Sequence, residues 1–484
     1  MARPNLLLVL LDQWRYDALG ANGGAICRTP VLDAFAAEGV RCTRAYTPIG
    51  ICSPARASLL TALYPHAHGV LNNVHEEDAL QPELPPDLWT FPEALAAAGY
   101  RLGHVGKWHV GHRGPESRGF GAIAVADATA SEEYGRYRAT HGLGPAPAPA
   151  DLPDAVFADL GRLRMPVAAT DPTPFDRTYS AFVVDEAVRL LDDLAGGDAP
   201  FFLQVSLEGP HHPYVVPEPY ASMYDHGTIA PWASFADDFR DKPAIHAIQL
   251  RHRGVAGWTW DDWAPVVAKY FGFVSHIDDQ VGRLLRELRE RGLADNTLVV
   301  VSADHGDFAG GHRQFNKGPL MYEDVYHTPL LARWPGGGIA AGSVCDRFVR
   351  LLDLGPTLLE SAGLTPPDGL HGRSALPLWR GEAVEGWPET IYAEYHGDEW
   401  GLYSQRMVRD GRWKLVYNGQ DRDELYDLSA DPAELRNLAD DPAAVGERLR
   451  LERLLAGWME ETGDPLRRWA RLLLGVDPQT GVSS

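Results

Sequence analysis

The chain has 484 residues, 45% hydrophobic and 23% charged, enough to bury a large core in one big domain plus a smaller one. Its formal net charge of −22, from 44 basic and 66 acidic residues, argues against nucleic acid or an anionic membrane as the main partner, while a local anion pocket needs only a few cations. The cysteines Cys27, Cys42, Cys52 and Cys345 are sparse and irregularly spaced, so the expected setting is a reducing cytoplasm, without a disulfide framework, zinc site, secretory leader or membrane span.

Asn5 to Leu11 is a continuous apolar run that reads as a parallel strand buried on both faces, ending in Asp12-Gln13. Open α/β sheets hold ligands beyond the carboxyl ends of their strands, so Asp12 stands where a metal-binding carboxylate belongs; a turn or cap aspartate is the alternative. Thr29-Pro30 opens an amphipathic helix closed by Gly39. Next comes Cys52-Ser53-Pro54-Ala55-Arg56, a loop turning into a helix that Ser53 is expected to cap, with Pro54 at the first helical position and Pro65 as the stop. Cys52 then lies at a helix N-terminus, where orphan N–H groups favour an anion, and Arg56 reaches back toward it. The bland alternative is a buried free cysteine. His66 and His68 read as surface or turn histidines before ligands, and Asn73 as an amide able to point into the site.

Thr90 to Glu93 forms a capping box, and Tyr100 to Gly106 the next strand, followed at once by Lys107-Trp108-His109. In extended chain Lys107 and His109 point the same way, toward Asp12. Residues 113–178 read as a long irregular insertion, Ser180 to Leu194 as a helix, and Phe201 to Leu207 as a buried strand running into Pro210-His211-His212-Pro213. Tyr214, Tyr220, Tyr224, Trp232, Trp258, Trp260 and Trp263 either line a substrate pocket or pack loops. Pro265 to Arg291 is a long amphipathic helix. Asn296 to Ala303 is the clearest parallel strand, ending in Asp304-His305, and Lys317 precedes a short helix and a strand from Tyr326 to Arg333. Leu351 to Ala362 is a helix interrupted by Pro356. Beyond a Pro- and Gly-rich stretch, Thr390 to Glu394, Ser404 to Arg409 and Arg412 to Tyr417 read as a hairpin-rich antiparallel sheet, Leu425 to Leu438 as turn-rich, and Val445 to Glu461 as a helix.

Cys-x-Pro-x-Arg, Gly-Lys-Trp-His and Pro-His-x-Pro, with acid pairs at strand ends, resemble the sulfatases of the alkaline phosphatase superfamily, over residues 5 to 440. The resemblance implies an α/β fold: a large, mainly parallel sheet between helices in residues 1–380, and a smaller antiparallel sheet with a helix in 381–484. It implies that a formylglycine-generating enzyme oxidises Cys52, and that the aldehyde hydrate is the nucleophile on one divalent cation held by Asp12, Asp304 and His305, with Gln13 a further candidate ligand. Ca²⁺ is expected, Mn²⁺ the alternative. Attack on a sugar, aryl or alkyl sulfate would leave a sulfated hemiacetal. His211 (or, as the alternative, His212) would protonate the leaving oxygen, and Lys317 would bind the sulfate. His109 would drive the elimination, while Lys107 and Arg56 neutralise charge. Many sulfatases carry two acids after the first strand and Asp-Asn after the later one. The Asp-Gln and Asp-His pairs here, and the place of Asn73 as a substrate contact, also resemble the phosphonate monoester hydrolases. That makes phosphonate or phosphodiester hydrolysis the second reading, and a non-catalytic metal- and anion-binding protein the third. The oligomeric state is open, a homo-oligomer included.

Overall fold

The computed structural model describes residues 3–127, 130–398, 401–419 and 421–474. Three sheets contain β1 (Asn5–Leu11), β2 (Val40–Tyr46), β3 (Arg101–Gly106), β4 (Ala122–Ile123), β5 (Val156–Asp159), β6 (Arg164–Asp171), β7 (Phe201–Leu207), β8 (Tyr214–Pro217), β9 (Thr297–Ala303), β10 (Leu330–Arg333), β11 (Ser343–Arg350), β12 (Ile391–Asp398), β13 (Gly401–Arg409), β14 (Trp413–Tyr417) and β15 (Glu424–Asp427). The central sheet has eight strands in the order β11-β2-β10-β9-β1-β7-β3-β4. All its pairings are parallel except those of β10, which runs antiparallel between β2 and β9.

The unbroken apolar runs of β1 and β9 follow from burial on both faces. Leu6, Leu8 and Leu10 enter the core on one side; Leu7, Val9 and Leu11 enter the core on the other. The Cys52–Thr61, Phe91–Ala97 and Leu354–Ser361 helices pack on the first face, and the Pro30–Glu38, Tyr179–Ala195 and Trp260–Glu290 helices on the second. The antiparallel sheet β12-β13-β14-β15 shares Ile391, Ala393, Met407 and Val416 with the first core, while Val408, Leu415 and Leu425 pack under the Val445–Glu461 helix. The α/β architecture with a mainly parallel sheet between helices and a smaller antiparallel sheet is therefore as expected. The four cysteines are buried and unpaired, and no helix among the described residues is long and apolar enough to cross a membrane.

Several local expectations are corrected. The helix begins at Cys52 with Ile51 as its N-cap; Ser53 does not cap it, because its hydroxyl contacts His109 and accepts from the Val74 N–H. That helix ends where Ala62 turns left-handed, and Pro65 opens the next short helix, Pro65–His68. Thr90 and Glu93 bond each other through their side chains, without a side-chain bond to the helix N-terminus. Residues 113–178 contain the Ala130–Thr140 helix and the β5–β6 pair, missed because the helix has hardly any apolar stripe and the strands are half-exposed without a regular alternation. Within the expected strand from Tyr326 only Leu330–Arg333 pairs as strand, and β15 occupies the start of the stretch read as turns. His66 and His68 are not surface residues. The His68 ring contacts Ser58, and the His66 Nδ1 lies 2.8 Å from Glu394 of β12.

Candidate active site

The carboxyl ends of β1, β3, β7 and β9 converge, and each delivers part of one cluster. Asp12 follows β1, Lys107 follows β3, His211 stands beyond β7, and Asp304-His305 follow β9. Adjacent parallel pairing in register sets these ends side by side: Leu11 pairs with Ala303 and Leu207, and Gly106 with Ser206. Gly106 has a φ of +93°, and a Cβ there would lie 2.0 Å from the Ser206 carbonyl oxygen. Only glycine allows this turn, and the turn aims Lys107. His109 is itself left-handed, at φ +60°, so Lys107 and His109 do not share a face of extended chain as expected. Both nevertheless line one cavity, because Asp127 accepts from the backbone N–H groups of Trp108 (3.0 Å) and His109 (2.5 Å) and fixes the turn.

Cys52 lies at the base of that cavity, of about 510 Å³, in the first turn of its helix. Its Sγ is 3.2 Å from the His305 Nε2 and 3.8 Å from Asp12 Oδ1. Asp12, Cys52, Asp304 and His305 are buried, with ligand atoms within 4.8 Å of one another. This donor set fits a divalent cation: two carboxylates, one imidazole and the Cys52 sulfur. The His305 Nδ1 lies 2.8 Å from the Gly306 carbonyl, which takes its N–H and leaves the Nε2 lone pair facing the cluster. Arg56 spans both carboxylates, donating from Nη2 to Asp12 Oδ2 (3.1 Å) and from Nε to Asp304 Oδ2 (2.9 Å), and from Nη1 to the Lys107 carbonyl (2.9 Å). Lys107 also donates to Asp12.

The charges are mutually compensated. Burial alone would push the Asp12 carboxyl up, but Lys107, His211, Arg56 and His305 together hold it well below the usual carboxylate range. Burial and Asp12 oppose ionisation of Cys52, yet Lys107, Lys317 and His305 outweigh them and lower its thiol. Burial, aided by Lys317, holds His211 well below an ordinary histidine. Burial and Lys107 do the same to His109.

His211 and Lys317 form the opposite wall. The His211 Nδ1 is 2.6 Å from the His212 carbonyl, and its Nε2 faces the Lys317 Nζ at 3.0 Å. His212, the alternative, lines the same cavity, and its Nε2 is 3.4 Å from the Asn316 amide nitrogen. The Gln13 amide donates to Asp307, and its oxygen accepts from Lys317 Nζ at 3.0 Å; Asp307 is held in turn by Tyr214 and the Ala309 N–H. Asn73 lines the cavity, accepts from the Ser53 N–H at 3.2 Å and donates to Asp398 of β12 at 3.4 Å. Thus Cys52, Asn73, Lys107, His109, His211 and Lys317 are brought together around one space, with Asp12, Gln13, Arg56, Asp304 and His305 behind them.

The aromatics between Tyr214 and Trp263 do not line this cavity. Trp263 is fully buried, Tyr214 bonds Asp307, and Trp232 bonds the Ala309 carbonyl. The cavity's aromatic surface comes from Tyr134 and Tyr179, and its further carboxylates from Glu76, Asp127 and Glu208. Sequence reasoning missed these five. No motif surrounds them; only the position of Glu208 directly after β7 signalled a place at the site.

The Sulfatase family profile matches residues 4–364, and that of the N-sulphoglucosamine sulphohydrolase C-terminal region matches residues 310–459. The chain is 30% identical to the uncharacterized sulfatase YidJ of Escherichia coli strain K12, covering 97% of this chain and 90% of that protein. It is 30% identical to the arylsulfatase of Clostridium perfringens, over 90% of each. Among solved structures it resembles the phosphonate monoester hydrolase of Agrobacterium radiobacter, with a TM-score of 0.79 and 28% identity over the full length of both chains. With the Sulfatase profile matched across three quarters of its length, and a buried Cys/Asp/His cluster at its strand ends, the chain belongs to the sulfatase family of hydrolases.

Proposed function

We propose that the protein hydrolyses sulfate esters of sugar, aryl or alkyl alcohols, with Cys52, oxidised to formylglycine by a formylglycine-generating enzyme, as the nucleophilic position. The observation that carries this reading is the setting of Cys52: buried between the Asp12–Asp304–His305 cluster and the cations Lys107 and Lys317, at the base of an open cavity. Asp12, Asp304 and His305 would hold a divalent cation, Ca²⁺ as first choice and Mn²⁺ as the alternative. Gln13 is a fourth ligand if its amide oxygen leaves Lys317. When bound, the cation supplies charge neutralisation at an ester oxygen and at the attacking oxygen.

The chain's own groups do the rest. Lys107 and Lys317 bind the anionic head from two sides, and Arg56 keeps both ligand carboxylates aimed. The aldehyde hydrate has a second hydroxyl that a serine lacks, and His109 is set to take its proton when the bond to the cleaved group breaks. The depressed His109 value keeps the ring neutral and ready to accept. The His211–Lys317 contact carries a proton that Lys317 donates toward Nε2, and this pair is set to protonate the leaving oxygen. Asn73 is a substrate-contacting amide in the same wall. The unpaired buried cysteines support a reducing, cytoplasmic setting.

A second reading, phosphonate monoester or phosphodiester hydrolysis, is favoured by the Asp12-Gln13 and Asp304-His305 pairs and by the full-length likeness to a phosphonate monoester hydrolase. Both ester classes present a singly charged tetrahedral centre. The test is kcat/KM for 4-nitrophenyl sulfate against 4-nitrophenyl phenylphosphonate with metal-loaded enzyme. A preference for the sulfate is expected. A preference for the phosphonate replaces the first reading with the second, and turnover of neither favours the binding protein.

A further inference from the structure

The catalytic cavity has a neighbour. A second chamber of about 290 Å³ adjoins it and shares four of its residues, Tyr179, Glu208, His211 and His212. The group placed to protonate the leaving oxygen therefore stands between the two spaces, and whatever is attached to that oxygen has a second volume beside it. The chamber's other walls are largely apolar: Phe273 of the long Trp260–Glu290 helix, with Pro213, Val215 and Pro217 of the β7–β8 connection and β8. Gly209 lets this connection close on the helix; a Cβ there would lie 2.7 Å from Phe273 and 2.6 Å from Ile277. A ring fits the volume, since about 150 Å³ of apolar cavity suffices for benzene.

The charges lining the chamber are one-sided. No lysine or arginine lines it among the described residues, while Asp171 and Glu208 do. The Glu208 carboxylate is exposed at the junction of the two spaces, with no side-chain hydrogen bond or ion pair among the described residues. The His276 ring, pushed down to about 4 by burial, adds no positive charge near neutral pH. An anionic group entering here would lose its hydration without meeting a cation. A hydroxyl at the junction would instead find an acceptor in Glu208.

We propose that this chamber is a second substrate subsite, which takes the distal ring of a two-ring leaving alcohol, that ring being uncharged, apolar-faced and able to offer a hydroxyl to Glu208. The inference rests on the ester centre lying at Cys52 and deepens that reading. It selects a singly sulfated ester of a neutral aryl or glycosyl alcohol over a polyanionic saccharide.

The test uses sulfonates, which carry the anionic head but cannot be hydrolysed. Their dissociation constants are measured by calorimetry on the full-length protein, for benzenesulfonate and for the two-ring 4-benzylbenzenesulfonate. The two-ring ligand is expected to bind at least about tenfold more tightly, and Val215→Phe, which fills the chamber, is expected to abolish that gain. Phe273→Trp narrows the same space from the helix and serves if the first variant does not fold. Equal affinities in the wild type, or a gain that survives both substitutions, would overturn the subsite. Turnover of 4-nitrophenyl sulfate is read separately. A tenfold gain without turnover leaves the subsite standing and removes the sulfatase reading; turnover without the gain does the reverse.

Discussion

Arg56 is the residue on which the charge balance of the site turns. One guanidinium holds a carboxylate from β1, a carboxylate from β9 and the carbonyl of Lys107, so three strand ends are tied through its fork. A lysine is a point charge and cannot make these three bonds at once. Arg56→Lys is expected to lower kcat/KM for an aryl sulfate by about 100-fold or more and Ca²⁺ affinity by about 10- to 100-fold, with an unchanged circular dichroism spectrum. Asp307 acts one step further out. It holds Gln13, which holds Lys317, so Asp307→Ala should lower kcat by about tenfold while leaving the oxidation state of Cys52 as in the wild type; peptide mass and steady-state rates read the two outcomes. Cys52, Arg56, Lys107 and His305 were legible because spacing within a motif reports one local backbone shape. Asp307 was not, since its role depends on a contact with Gln13, 294 positions away, and neither were Glu208 and Tyr179, which meet only through folding.

At the scale of elements, the site depends on strand ends stopping in register. Gly106 is the clearest case, because any side chain there meets the β7 backbone. Gly106→Ala is expected to cost at least about 2 kcal/mol of stability and to lower activity through the displaced Lys107; urea unfolding and kcat measure the two effects. The strands themselves were readable from unbroken apolar runs, since burial on both faces leaves no other composition. The Ala130–Thr140 helix was not, because a mostly exposed helix carries no stripe to read. The orientation of β10 was not readable either. A short apolar strand looks the same in either direction, and only the partners on each side decide.

At the scale of the whole molecule, the antiparallel sheet is fastened to the larger body by a buried charge cluster. His66 and Glu394 pair at 2.8 Å, and Arg406 adds Asp464, which follows the Val445–Glu461 helix, at 2.5 Å. Burial opposes the charge on His66, but Glu394 raises it above an ordinary histidine. Burial likewise opposes the charge on Glu394, which His66 and His396 hold well below an ordinary glutamate. The His66 contribution is therefore full below pH about 6.5 and is lost as pH rises through its higher folded value. The Glu394 contribution is present above pH about 4.3 and is lost as pH falls through its lower folded value. The melting temperature of the wild type should exceed that of His66→Gln by more at pH 6 than at pH 9, and scanning calorimetry at the two values checks this. None of this fastening was legible in the sequence, where His66 stands in a turn-like Pro-His-Ala-His run and its partner lies 328 positions on.

Catalysis here turns on one covalent change at one residue, Cys52. The most direct measurement is the mass of the Cys52 peptide from protein made in its native host, taken together with the turnover of 4-nitrophenyl sulfate by the same sample. Conversion of the thiol to the aldehyde lightens the peptide by about 18 Da. The lighter peptide is expected, in proportion to activity. An unmodified thiol in fully active protein would contradict this, and would leave a metal hydrolase whose nucleophile is some other group in the same cavity.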